Sequence, residues 1–143
     1  MKVSAKAEYA CIAMLELAAN HGEPHPVRVK AIADAHDIPQ RFLVQILLQL
    51  KGAGLVESLR GAAGGYQLSR SPDEISLGDI INGIDGPNPL RATADGPARS
   101  PAVAAVRSVW HDLQSQEQRL LHEVTLADLV RRTYHNNALS YEI

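Results

Sequence analysis

Three residues, Asp37-Ile38-Pro39, separate two stretches of helical periodicity, and no other segment narrows the choice of fold as much. Proline lacks an N–H, so it ends one helix but sits easily in the first turn of the next. Upstream, the sequence from about Val29 to His36 predicts a short helix that buries Ala31, Ile32 and Ala35. Downstream, residues 40–53 predict a longer one. Phe42, Leu43, Ile46, Leu47 and Leu50 recur there at steps of three and four and form one apolar stripe. Gly52 and Gly54 close it. Two helices joined by so tight a break read as a helix-turn-helix.

The flanking segments extend this frame. Ser4 is placed to cap a helix running to about Asn20, with Tyr9, Ile12, Ala13, Met14, Leu15 and Leu17 covered on more than one side. Gly22, Pro24 and Pro26 stop it. After the third helix, Leu55 to Arg60 and Tyr66 to Ser69 read as strands joined by the turn Gly61-Ala62-Ala63-Gly64-Gly65. Ser76-Leu77-Gly78-Asp79 is a capping-box pattern opening a helix to about Ile84. Asp85 to Ser100, rich in Pro and Gly, reads as an irregular loop. Ser100-Pro101 then opens the longest helix, to about Glu123. Val103, Val106, Trp110, Leu113, Leu120 and Val124 form a near-heptad seam along it, interrupted by Glu117, and are the expected dimerisation residues. Thr125-Leu126-Ala127-Asp128 is a second capping box, opening a last short helix to about Arg132. The expected fold is mainly α: a winged helix-turn-helix with a two-stranded wing and a long C-terminal dimerisation helix. The expected division is a DNA-binding domain over 1–75, then a sensing loop and dimerisation helices over 76–143.

Composition excludes several classes. At 143 residues, 45% hydrophobic and 21% charged, the chain is ordinary for a globular protein. It has no apolar run of about 18 residues and no secretion signal, so a cytoplasmic protein without membrane contact is expected. Its one cysteine, Cys11, excludes an intrachain disulfide and a thiolate metal site built from this chain alone, and reads as a small buried core residue. Neither His21 with His25 nor His111 with His122 matches a zinc motif. No nucleophile elbow, catalytic carboxylate pair or dinucleotide fingerprint is present, so no enzyme and no metal are expected.

The net charge of −2 does not by itself advertise nucleic-acid binding, but its distribution is uneven. Pro24 to Arg70 holds six Lys or Arg (Arg28, Lys30, Arg41, Lys51, Arg60, Arg70) against three acids. With the core stripe set aside, the third helix offers Gln40, Arg41, Val44, Gln45, Leu48 and Gln49. Arg41, Gln45 and Gln49 share a face; Arg can pair with guanine, Gln with adenine, and Val44 can meet a thymine methyl. The same residues also suit a plain solvated face. Arg60 stands at the base of the hairpin, where it can enter a minor groove, while the small-residue tip allows backbone to approach phosphate; an ordinary loop is the alternative. Lys2, Ser4 and Lys6 sit at a helix N-terminus, which attracts phosphate, or are simply an exposed basic start. Arg28, Gly61, Gly64, Gly65 and Tyr66 complete the expected DNA surface.

The chain resembles the Rrf-two family of bacterial regulators, the IscR, NsrR and CymR type. The residues that carry the likeness are Met1 to Ala10; Ile38-Pro39-Gln40-Arg41-Phe42-Leu43; Ala53-Gly54-Leu55-Val56 with Arg60 to Tyr66; Trp110; and Thr125 to Val130. The resemblance implies a dimer crossed by its long helices, a palindromic or near-palindromic operator, and sensing by the irregular loop. In cluster-binding members that loop carries three cysteines holding an iron–sulfur cluster. Their positions fall here on Ala92, Ala98 and Ala104, and a fourth ligand position falls on Arg107. Glu8 lies where some members supply a non-cysteine ligand. The resemblance leaves two readings open: a cluster-free member, or a cluster-binding regulator whose cysteines were replaced to give an apo form. No cofactor is expected in either, although a parent with cysteine at the three alanines would hold a cluster. Val44 stands where several relatives carry an acidic residue, so their operator sequence does not transfer.

The expected function is therefore a homodimeric transcription regulator on double-stranded DNA. The rivals are a cluster-free regulator controlled by a small molecule or partner protein, and a winged-helix module that binds protein rather than DNA.

Overall fold

A computed structural model describes residues 2–62, 64–86 and 96–141, and the side chains of these up to residue 136. The elements run α1 (Ala5–Ala19), α2 (Val29–His36), α3 (Gln40–Gly52), β1 (Val56–Leu59), β2 (Gly65–Leu68), a 3-10 turn (Pro72–Glu74), α4 (Leu77–Asp85), α5 (Pro101–Glu123) and α6 (Leu126–Tyr141). The two strands form one antiparallel hairpin, with Val56 opposite Leu68 and Leu59 opposite Gly65.

Local chemistry sets the helix starts. Ser4 Oγ accepts the Ala7 N–H at 3.0 Å, and Ser100 Oγ accepts the Val103 N–H at 3.2 Å. Both capping boxes close. Ser76 Oγ accepts the Asp79 N–H at 3.1 Å while Asp79 Oδ2 accepts the Ser76 N–H at 3.0 Å, and Thr125 with Asp128 repeats the pattern at 3.1 and 3.0 Å. The Thr125 contacts and Arg131 hold the Asp128 carboxyl below the usual carboxylate range. The two boxes lie side by side: the Leu77 N–H donates to the Val124 carbonyl and the Leu126 N–H to the Ile75 carbonyl, each at 2.9 Å. The starts of α4 and α6 are thereby bolted together.

One core runs through the molecule. Met14 and Leu17 of α1, Ile32 of α2, Leu43, Ile46, Leu47 and Leu50 of α3, Ile80 of α4, Leu126 of α6 and the connecting Ile75 are all buried in a single cluster. It passes across residue 75 without a break. α1 sits at its centre, packed on α3, α4 and α6.

Three sequence expectations are corrected. In α2, Ala31 and Ala35 are exposed, and Ile32 and Ala33 are buried. The inward stripe follows the branched pair Val29 and Ile32, and alanine is small enough to lie on either side. Cys11 is half-buried against the core rather than inside it. The last helix continues to Tyr141 instead of ending near Arg132. α6 packs on α1 through its apolar side, with Leu129 and Val130 against the core, and such packing sustains a helix through residues of modest propensity. Among the described residues, no helix is long and apolar enough to cross a membrane.

Candidate nucleic-acid interface

The turn between α2 and α3 is built from the three residues that separate them. Asp37 adopts the left-handed conformation, φ 53° and ψ 46°, and ends α2. The Ile38 N–H donates to the Ala33 carbonyl at 3.0 Å, and the Ile38 side chain is buried. Pro39 then caps α3, where its missing N–H costs nothing.

α3 is two-sided. Leu43, Ile46, Leu47 and Leu50 are buried and Phe42 is half-buried, its ring edge-on to Tyr9 at 5.7 Å between centroids. Gln40, Arg41, Val44, Gln45, Leu48 and Gln49 are all exposed. The expected face is brought together in full, and it includes Leu48 at 55% exposure.

The wing leaves the end of α3 through Ala53 and Gly54, and Lys51 Nζ of α3 donates to Ser58 Oγ of β1 at 2.9 Å. Two glycines are required by close approach. A Cβ on Gly64 would lie 2.4 Å from the Leu59 carbonyl oxygen, and one on Gly65 would lie 2.4 Å from that of Val27. The second contact exists because Val27 pairs with Tyr66: the Val27 N–H donates to the Tyr66 carbonyl at 2.9 Å, and the Tyr66 N–H returns to Val27 at 2.8 Å. The hairpin is thus stitched to the segment that opens α2. Arg60 and Gly61 are exposed; Gly64, Gly65 and Tyr66 are half-buried; Ala63 lies outside the described residues.

Arg28, expected on the DNA surface, has its guanidinium donating to the Ala62 carbonyl at the wing tip. No local sequence signal gives that partner. At the start of α1, Lys2 is exposed and Lys6 half-buried, and the Ser4 hydroxyl donates to Asp85 Oδ1 at 2.7 Å as well as capping the helix.

In the second half, α5 carries no buried residue along its 23 positions. Val106, Trp110, Leu113 and Leu120 are exposed, and Val103 and Val124 are half-buried. Val109, also exposed, widens the patch; it lies three residues after Val106 and four before Leu113, beside the seam that runs through Trp110. The side chains available do not suit an iron–sulfur cluster. Ala98 and Ala104 are exposed and have no donor atom, Ala92 lies outside the described residues, and Arg107 donates to the Gly96 carbonyl at 2.8 Å. The chain's single thiol, Cys11, sits on α1, and burial, followed by Asp85 and Glu8, pushes its pKa up to about 11, the opposite of a ligating thiolate. Among the described residues, no group of three His, Cys, Asp or Glu is placed to hold a metal ion.

A two-helix reading head, a glycine-tipped hairpin beside it and a long apolar-faced helix define a winged helix-turn-helix regulator. The sequence profile of the Rrf2 family, described as an iron-dependent transcriptional regulator, matches residues 3–132, and the chain belongs to that family. It is 39% identical over 134 residues to the transcriptional regulator CymR of Bacillus subtilis, covering 93% of this chain and 92% of that protein. It is 31% identical over 132 residues to IscR of Vibrio campbellii, covering 92% and 78%. Among solved structures, B. subtilis CymR, described as that organism's global cysteine regulator, superposes with a TM-score of 0.81 at 36% identity, covering 92% of this chain and 98% of that one. IscR of T. potens gives 0.76 at 36% identity, covering 93% and 88%. The chain is a DNA-binding transcription regulator, not an enzyme.

Proposed function

We propose that the chain acts as a homodimer on a near-palindromic operator, each protomer laying the outer face of α3 in a major groove and the wing in the adjacent minor groove. The observation that carries this is the outer face of α3. It combines Arg41, Gln45 and Gln49, which suit base edges, with exposed Val44 and Leu48, which suit thymine methyls and gain nothing from water. The apolar side of α5 supports the twofold partner. On this reading Lys2, Lys6 and the wing glycines meet phosphate, and Arg60 meets the minor groove. The division near residue 75 is one of role, reading before it and sensing and pairing after it, since the core is shared.

The test is fluorescence anisotropy on the operator selected from a random duplex library. Arg41→Ala and Arg60→Ala each weaken binding by about 1–3 kcal/mol if they read bases. Unchanged titrations for both refute the assigned faces.

A second statement concerns the signal. We infer a cluster-free regulator, governed by a small molecule or partner protein, because Ala98 and Ala104 offer no ligand atom and Arg107 is engaged elsewhere. Incubation with ferrous iron and sulfide under anaerobic conditions leaves no stoichiometric iron on the protein; stoichiometric uptake with visible charge-transfer absorption defeats this inference.

A further inference from the structure

Arg28 occupies the N-cap of α2, with φ −76° and ψ 144°, and its side chain makes no cap hydrogen bond. Ser, Thr, Asp and Asn serve this position well because their oxygens accept first-turn N–H groups. Arginine has no acceptor, and its charge stands at the positive end of the helix dipole. The residue is thus poor for the helix it begins, and its side chain works elsewhere. The guanidinium donates to the carbonyl of Ala62, at the tip of the wing, 34 residues along the chain. The preceding residue, Val27, pairs through its backbone with Tyr66 at 2.9 and 2.8 Å, lower on the same hairpin. Two consecutive residues therefore hold the wing at two heights, Val27 at the strand and Arg28 at the tip.

We propose that Arg28 is a positioning residue for the wing. It fixes the height and tilt of the glycine-rich tip against α2 and α3, so that wing and reading helix meet a duplex as one rigid body. It contributes to affinity through pre-ordering, not through neutralising a phosphate. Glycine has the most backbone freedom to lose, so a tip that contains Gly61 and Gly64 is costly to order on binding, and a guanidinium N–H on the Ala62 carbonyl removes part of that cost beforehand. This rests on the proposed reading that the wing contacts DNA.

The test is Arg28→Ser in the full chain. Serine restores a good N-cap, so the thermal midpoint stays level or rises and folding is not in question. Hydrogen exchange by mass spectrometry on the DNA-free protein then shows the peptide spanning the tip exchanging roughly tenfold faster. Operator affinity falls roughly five- to tenfold, with the slope of log K against log salt unchanged. Unchanged tip exchange overturns the proposal. So does a salt slope reduced by about 0.9 per protomer, the mark of a lost phosphate contact. Faster exchange at unchanged operator affinity upholds the clamp and instead defeats the reading that the wing touches DNA.

Discussion

Trp110 is the only tryptophan in the chain, and it is 63% exposed on α5. A tryptophan offers roughly 250 Å², so 63% leaves roughly 160 Å² in water on an isolated protomer. Burial is worth about 25 cal/mol per Å². If the partner covers half of that area, Trp110 contributes about 2 kcal/mol per protomer and about 4 kcal/mol per dimer. That corresponds to roughly a thousandfold in the dimer dissociation constant. Trp110→Ala is therefore expected to move the monomer–dimer midpoint by about three decades. Sedimentation velocity across nanomolar to high-micromolar concentrations measures it. Because the residue is on the surface of the protomer, the variant keeps its fold and helical circular dichroism. Intrinsic fluorescence gives an independent reading on the unmodified protein: emission is blue-shifted in the dimer and moves to the red on dilution. A variant that dimerises within threefold of the parent, or wild-type emission that stays at the water-exposed position while the protein sediments as a dimer, refutes the pairing of these helices.

Asp37→Gly relieves the left-handed turn between α2 and α3 and is expected to raise stability by about 0.5–1 kcal/mol, read as a higher urea midpoint at constant m-value; no gain would mean that Asp37 is held by something other than backbone preference. Cys11, with its thiol pushed up to about 11, is expected to resist iodoacetamide at pH 8 in the native state and to react in denaturant. Because the fold favours the neutral thiol, stability is complete below the ordinary thiol value of about 8.5 and declines as pH rises from there toward about 11; a Cys11→Ala variant lacks that decline, and an identical pH profile for the two proteins contradicts the assignment.

Much of this architecture is written in local chemistry. α3 was legible because its apolar stripe and its exposed face follow one period over thirteen residues, with a proline before it and glycines after it. The starts of α4, α5 and α6 were legible because Ser76, Ser100 and Thr125 cap them through contacts three residues away. What the sequence hides is set by tertiary neighbours. Ala31 and Ala35 fit either side of a helix, so only packing decides their place. The extension of α6 past Arg132 depends on α1 lying beneath it. The bond from Arg28 to Ala62 joins residues whose proximity arises only after α2 and the hairpin have docked, and the same holds for Ser4 and Asp85.

The bolted starts of α4 and α6 make α5 a lever. Its C-terminal end is anchored where Val124 accepts the Leu77 N–H, and its 23 residues reach roughly 35 Å from that root. Over that length a tilt of about 5° displaces the far end by about 3 Å. In the proposed twofold assembly, the arm's inclination would then help set how far apart the two α3 helices lie.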